Sequence, residues 1–178
     1  RRCHSVRAVA RKYGVEVTEA VDVNSEEFLA HLRERKVDFI LSVSGTQLYR
    51  KKLREQTPNG IVNCHGALLP KYRALMPSFW TLANGEREGG VSIHYVDAKL
   101  DNGPIVVQKR YRINPWDSLE DLMDRSKDLA AEAILECVRL IEAGDPPLMD
   151  NPEEESTHFS MPKRKDLLRL KACGHRLV

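Results

Sequence analysis

Val37-Asp38-Phe39-Ile40-Leu41-Ser42-Val43 is a short, nearly continuous apolar run. Runs of this length and composition form strands buried on both faces. Upstream, Asn24 or Ser25 can cap a helix carrying Phe28, Leu29 and Leu32, with Glu26 and Glu27 in its positive first turn. Downstream, Ser44-Gly45-Thr46 breaks the strand, and a short helix is expected to about Leu53. Pro58-Asn59-Gly60 is a turn, and Ile61-Val62-Asn63-Cys64-His65 reads as a second strand. Strands alternating with helices indicate an α/β fold with a mostly parallel, Rossmann-like sheet flanked by helices.

The ends of the chain extend this pattern. Val6, Val9 and Ala10 give a helical face that Gly14 can end, and Val15-Glu16-Val17 alternates like a short strand. Leu68 to Arg73 reads as an irregular loop, and Pro77 to Ala83 as a helix with Pro in its first turn. Gly85 to Gly90 is expected as a turn, followed by strands at Val91–Val96 and Ile105–Arg112. A long amphipathic helix runs from Ser118 to Ile141, with Gly144 after its end. Asp145 to Thr157 is expected as loop, and a last short helix starts near Asp166.

Side chains at i and i+2 of a strand share a face. Asn63 and His65 therefore point one way, and Val62 and Cys64 the other. They lie at the carboxyl end of their strand, the edge where open α/β sheets bind ligands. Asp101 stands in Leu100-Asp101-Asn102-Gly103-Pro104, which is also a plain turn signature. An Asp beside His65 would raise the imidazole pKa and orient the ring. An amide, an imidazole and a carboxylate together suit attack of an amine on a carbonyl. Asn63 and protonated His65 would donate to the oxyanion, and Asp101 would help remove the amine proton. His94 alternates within a strand and reads as a packed or surface residue rather than a catalytic one. Ser42 and Ser44 lack the frame of a serine nucleophile. Cys64 faces away from His65, which argues against a Cys-His dyad.

Composition narrows the class. The chain has 178 residues, 42% hydrophobic and 30% charged, with net charge +2, the profile of one globular domain. That charge does not indicate a nucleic-acid or membrane partner, and no apolar run approaches the roughly 18 residues of a span. No signal peptide is visible. Cys3, Cys64, Cys137 and Cys173 show no metal or redox spacing, so no metal site is expected and the chain reads as cytoplasmic.

Asn63-Cys64-His65, Leu68-Leu69-Pro70 and Leu100-Asp101-Asn102-Gly103 together resemble the shared pattern of the formyltransferases that use 10-formyltetrahydrofolate. Pro77, Trp80, Asn84-Gly85-Glu86 and Gln108 add agreement. The resemblance is strong from about Asp38 to Arg112. It implies Asn63, His65 and Asp101 as the catalytic trio and 10-formyltetrahydrofolate as formyl donor. It implies a folate site at Gln47 and Leu48, and at Asp97, Ala98, Leu100 and Asp101 on the later loop. It implies a catalytic domain over residues 1–145, partial at its start, with residues 146–178 as an extension packing on it. The family's first strand, helix and second strand are expected before Arg1. Ala67 stands where the family usually has Ser, and Ala74 where many members have Gly.

Three functions follow. The first is formyl transfer to an amine, with an amino sugar or nucleotide favoured over tRNA. The second is hydrolysis of formyltetrahydrofolate by water at the same site. The third is an inactive folate-binding remnant. Arg73 to Trp80 looks more like the sugar-amine and tRNA branches. His94-Tyr95-Val96 and Gly103-Pro104-Ile105 look more like the ribonucleotide transferase and the hydrolase.

Overall fold

The computed structural model describes residues 5–178; Cys3 and His4 lie outside them. Helix α1 (Val6–Lys12) is capped by the Ser5 side chain, and α2 (Glu26–Glu34) by that of Ser25. Strand β1 (Ile40–Val43) and the short α3 (Lys51–Arg54) lead to β2 (Ile61–His65). Next come β3 (Arg73–Ala74), α4 (Pro77–Ala83) and the paired strands β4 (Glu88–Tyr95) and β5 (Ile105–Arg112). Helix α5 (Leu119–Glu142) begins with a capping box between Ser118 and Asp121. The chain then adds β6 (His158–Phe159) and α6 (Arg164–Ala172).

The central sheet runs β1-β2-β4-β5, with helices packed against it, as the α/β reading expects. Its strand directions correct that reading. Only β1 and β2 are parallel; β2–β4 and β4–β5 are antiparallel. The reason lies in the connections: the loop from Val96 to Pro104 is too short for a crossover, so β4 and β5 form a hairpin.

Three local expectations also change. No strand forms at Val15–Val17; the Val15 N–H closes the end of α1 on the Ala10 carbonyl instead. The first strand starts at Ile40 rather than Val37, because the Val37 N–H is spent on the Leu32 carbonyl at the end of α2. Gly89 and Gly90 belong to β4 rather than to a turn. A Cβ on Gly90 would lie 2.3 Å from both Leu68 Cδ2 and the Lys109 carbonyl, so a glycine is needed there for close approach.

Apolar burial holds these layers together. Val62, Val91, Ile93, Val106 and Val107 of the sheet pack against Ala133 and Cys137 of α5. Leu29 and Leu32 of α2 cover Ile61 and Leu53 on the other side. Phe79, Trp80 and Leu82 of α4 meet Leu122 and Leu170. The segment after α5 is tied in as well: β6 pairs with β3, and the Trp80 indole donates to the Ser160 carbonyl.

The hairpin loop approaches its own strand closely. A Cβ on Gly103 would sit 2.0 Å from the Tyr95 carbonyl oxygen, a backbone atom that cannot rotate away. Gly103→Ala is therefore predicted to cost about 1–3 kcal/mol of unfolding free energy. Urea denaturation checks this; an unchanged midpoint would show that the loop gives way freely.

Candidate active site

Ser42 and Asn63 are register partners in the parallel pair β1–β2, so their side chains lie side by side. Asn63 and His94 are opposite each other in the antiparallel pair β2–β4. The ladder between β4 and β5 shifts register at Ile93/His94, a bulge of the kind that re-aims a side chain next to a site. Asp101 comes in from the hairpin loop in the left-handed region, at φ +50°. These backbone facts bring Asp101 to Asn63 and His65, which share a face as the i, i+2 spacing expects.

The contacts are specific. Asp101 Oδ2 lies 3.6 Å from His65 Nδ1 and accepts the Ala74 backbone N–H at 2.9 Å. Asp101 Oδ1 lies 3.4 Å from His94 Nε2 and 3.5 Å from Asn63 Nδ2. His94 Nδ1 is 2.9 Å from the Tyr95 carbonyl and must donate to it. Its Nε2 also sits 3.3 Å from Asn63 Nδ2. Asn63 Oδ1 accepts from Ser42 Oγ at 2.9 Å, and Ser42 accepts from the Tyr49 hydroxyl at 2.8 Å. That relay fixes which end of the Asn63 amide faces the carboxylate.

Electrostatics correct one expectation. His65 is 5% exposed, and its Nε2 donates to the Tyr72 carbonyl at 2.8 Å. Burial pushes its pKa below 6.5, and the Asp101 charge and the Tyr72 carbonyl, which act upward, do not offset it. The resting imidazole is therefore neutral, with Nδ1 bare, rather than a cation raised by Asp101. Asp101 itself is pushed up by burial, but His94, His65 and the Ala74 N–H outweigh this and hold it at about 2. It is an ionised carboxylate at neutral pH. Burial drives the Cys64 thiol up to about 11 on the far strand face, which leaves no Cys-His dyad.

The expected folate residues divide in two. Asp97, Ala98 and Leu100 share the hairpin loop with Asp101, and Ala98 and Leu100 are exposed. Asp97 accepts from the Lys99 N–H and from Asn102 Nδ2, so its carboxylate shapes the loop. The Gln47 amide is spent on the backbone of Val21 and Val23. Leu48 is exposed, and its carbonyl accepts from Asn24. Neither Gln47 nor Leu48 bonds to the trio; Tyr49 and Ser42 make that link. Val43, Leu48 and Leu100 are exposed apolar side chains. Among the described residues no group of three His, Cys, Asp or Glu stands ready to hold a metal, and no helix is long and apolar enough to cross a membrane.

Sequence reasoning missed His94, Ser42 and Tyr49. Of the packed and surface positions open to it, His94 takes the packed one, at 2% exposure, and it also touches Asp101 and Asn63. The usable signal was strand alternation: Ser42 and His94 fall on the Asn63 face once the register is known.

The sequence profile of the formyl transferase family matches residues 2–138. The methionyl-tRNA formyltransferase of Kosmotoga olearia is 33% identical over 163 residues, 92% of this chain and 52% of that protein. That of Syntrophus aciditrophicus is 35% identical over 163 residues, 90% of this chain and 52% of that protein. The chain spans about half the length of these curated relatives. Among solved structures, glycinamide ribonucleotide transformylase 1 from Symbiobacterium toebii aligns with TM-score 0.69 at 27% identity, covering 76% of this chain and 67% of that one. The formyltransferase PseJ from Anoxybacillus kamchatkensis, solved with UDP-4,6-dideoxy-4-formamido-L-AltNAc and tetrahydrofolate, shares the fold at TM-score 0.71 and 23% identity, over 92% of this chain and 84% of that one. The profile covers more than half of the chain, the two relatives exceed 30% identity over nine-tenths of it, and the chain belongs to the formyl transferase family.

Proposed function

We propose that the protein transfers a formyl group from 10-formyltetrahydrofolate to an amine, with Asn63, His65 and Asp101 as its catalytic residues. The observation that carries this reading is the meeting of the three side chains around a buried, ionised Asp101. The bound folate supplies the formyl group. Asn63 Nδ2 donates to the formyl oxygen as it gains charge, and its orientation is set in advance by Ser42. Asp101 accepts the amine proton, directly or through a water. His65 Nδ1, bare and 3.6 Å from Asp101, is placed to take that proton and return it to the departing nitrogen. The neutral resting state is what permits this shuttle.

The family's sequence relatives named above support methionyl-tRNA as the acceptor, and a nucleotide-linked amino sugar is the alternative. Incubation with 10-formyltetrahydrofolate and, separately, methionyl-tRNA, amino-sugar nucleotides, glycinamide ribonucleotide or buffer separates these by tetrahydrofolate release. Release that needs one amine names the acceptor. Release in buffer alone replaces transfer by hydrolysis, and no release in any arm sinks the catalytic reading.

Asp101→Asn keeps the shape of the side chain and removes its charge. It is expected to lower kcat by roughly 10²–10⁴-fold with folding retained. A loss under about tenfold would remove Asp101 from the proton path.

The pH dependence follows from His65. Its folded pKa lies below the ordinary 6.5, so the stability linked to it is complete above pH 6.5 and declines as pH falls toward the folded value. An NMR titration of the His65 ring should give a midpoint below 6.5. A midpoint above that value would mean that the Asp101 charge prevails over burial.

A further inference from the structure

We infer that Asn151, in the segment after α5, is a positioning residue for Asp101, acting as a latch that holds the hairpin loop in its active geometry. The inference rests on the reading of Asp101 as the proton acceptor.

The segment from Met149 to Phe159 runs back along the site. Met149 forms an isolated bridge with Ile105, and β6 pairs with β3, whose Ala74 N–H holds Asp101. Between these anchors lies Asn151. Its Nδ2 donates at 2.9 Å to the Asp101 carbonyl and at 2.9 Å to the Gly103 carbonyl. Its Oδ1 accepts from Arg73 Nη2 at 2.9 Å. Both donor hydrogens and the acceptor are engaged on the two sides of the catalytic loop.

Arg73 completes the latch. It is 1% exposed, and its Nη1 donates to Asn102 Oδ1 at 2.8 Å, on the residue next to Asp101. Its Nη2 also reaches the Asn151 carbonyl at 3.1 Å. This buried guanidinium donates to amide oxygens, and its Nε has no hydrogen-bond partner among the described residues. A carboxylate at position 151 would pair with Arg73 but could not donate to two carbonyls. An amide serves both sides, which is the chemical reason for Asn at this position.

The geometry being held is an unfavourable one. Asp101 is a non-glycine residue at φ +50°, a conformation that persists only where surrounding contacts over-determine it. Its side chain lies 3.6 Å from His65 and 3.4 Å from His94 in this conformation. Lys99 adds an exposed ion pair to Glu153 on the same segment.

Asn151→Ala tests the latch with two readouts. Carbon-13 NMR of the Asp101 carboxyl should show its midpoint rise from about 2 toward 3.8 as the contacts with His65, His94 and Ala74 loosen. With 10-formyltetrahydrofolate and the amine that the acceptor panel names, kcat should fall roughly 10²-fold while KM for the folate changes less than about threefold. An unmoved Asp101 midpoint in a folded variant overturns the inference. A shifted midpoint with kcat unchanged also overturns it, because the position of Asp101 would then not matter to the reaction. If Asn151→Ala does not fold, Asn102→Ala removes one arm of the same clasp and is read by the same two measurements. If the unaltered protein releases no tetrahydrofolate in any arm, the catalytic reading fails, and the Asp101 titration alone decides whether Asn151 holds the loop.

Discussion

Asp101 is a carboxylate 8% exposed to solvent, on a residue with left-handed backbone, and it is ionised. A buried charge survives only with partners, and each partner here comes from a different part of the chain. Asn63 comes from β2, His94 through a bulge in β4, and the Ala74 N–H from β3. Strand register, bulge and loop must all be correct before the carboxylate is satisfied. A slip of one residue in β2 would turn His65 into the core and Cys64 toward the site.

Burial acts on the two ionisable partners in opposite ways. It opposes charge on both, yet Asp101 stays ionised because its hydrogen bonds act on the charged form. His65 stays neutral because a carboxylate 3.6 Å away and one backbone carbonyl do not replace its lost hydration. The site thus holds one base that is charged and one that is bare, side by side. Arg73, buried nearby, adds positive potential that lowers His65 further. His65 sits at the carboxyl end of β2, the edge where open α/β sheets bind ligands, and the hairpin loop between β4 and β5 brings Asp101 to it.

Ala74 is a departure from the family pattern that the structure explains in part. Its φ is +76°, in the region that favours glycine, and its N–H is the donor to Asp101. Tyr72 and Met76 also have positive φ, so the whole turn alternates through this conformation. Strain in the turn is held by β6 pairing and by the Leu75 N–H on the Phe159 carbonyl. Nothing in the structure explains Ala67 in place of a serine; its carbonyl accepts from Ser92 Oγ, a contact that any residue could make.

By itself the sequence determined the α/β class, the long capped helix from Ser118, and the shared face of Asn63 and His65. Each follows from local rules: alternation, capping chemistry and the period of a strand. Together, Asn63-Cys64-His65 and Leu100-Asp101-Asn102-Gly103 pointed to the trio. Only the tertiary structure decided the antiparallel pairing of β4, the contact of His94 and the sign of the His65 shift. Register between distant strands and the balance of desolvation against charge depend on what packs around a residue. Neighbours in the sequence do not encode that. Asn151 shows the difference most clearly: it lies in a Pro-rich, acidic stretch that reads as loop, and its role exists only because the fold brings Asp101, Gly103 and Arg73 to it.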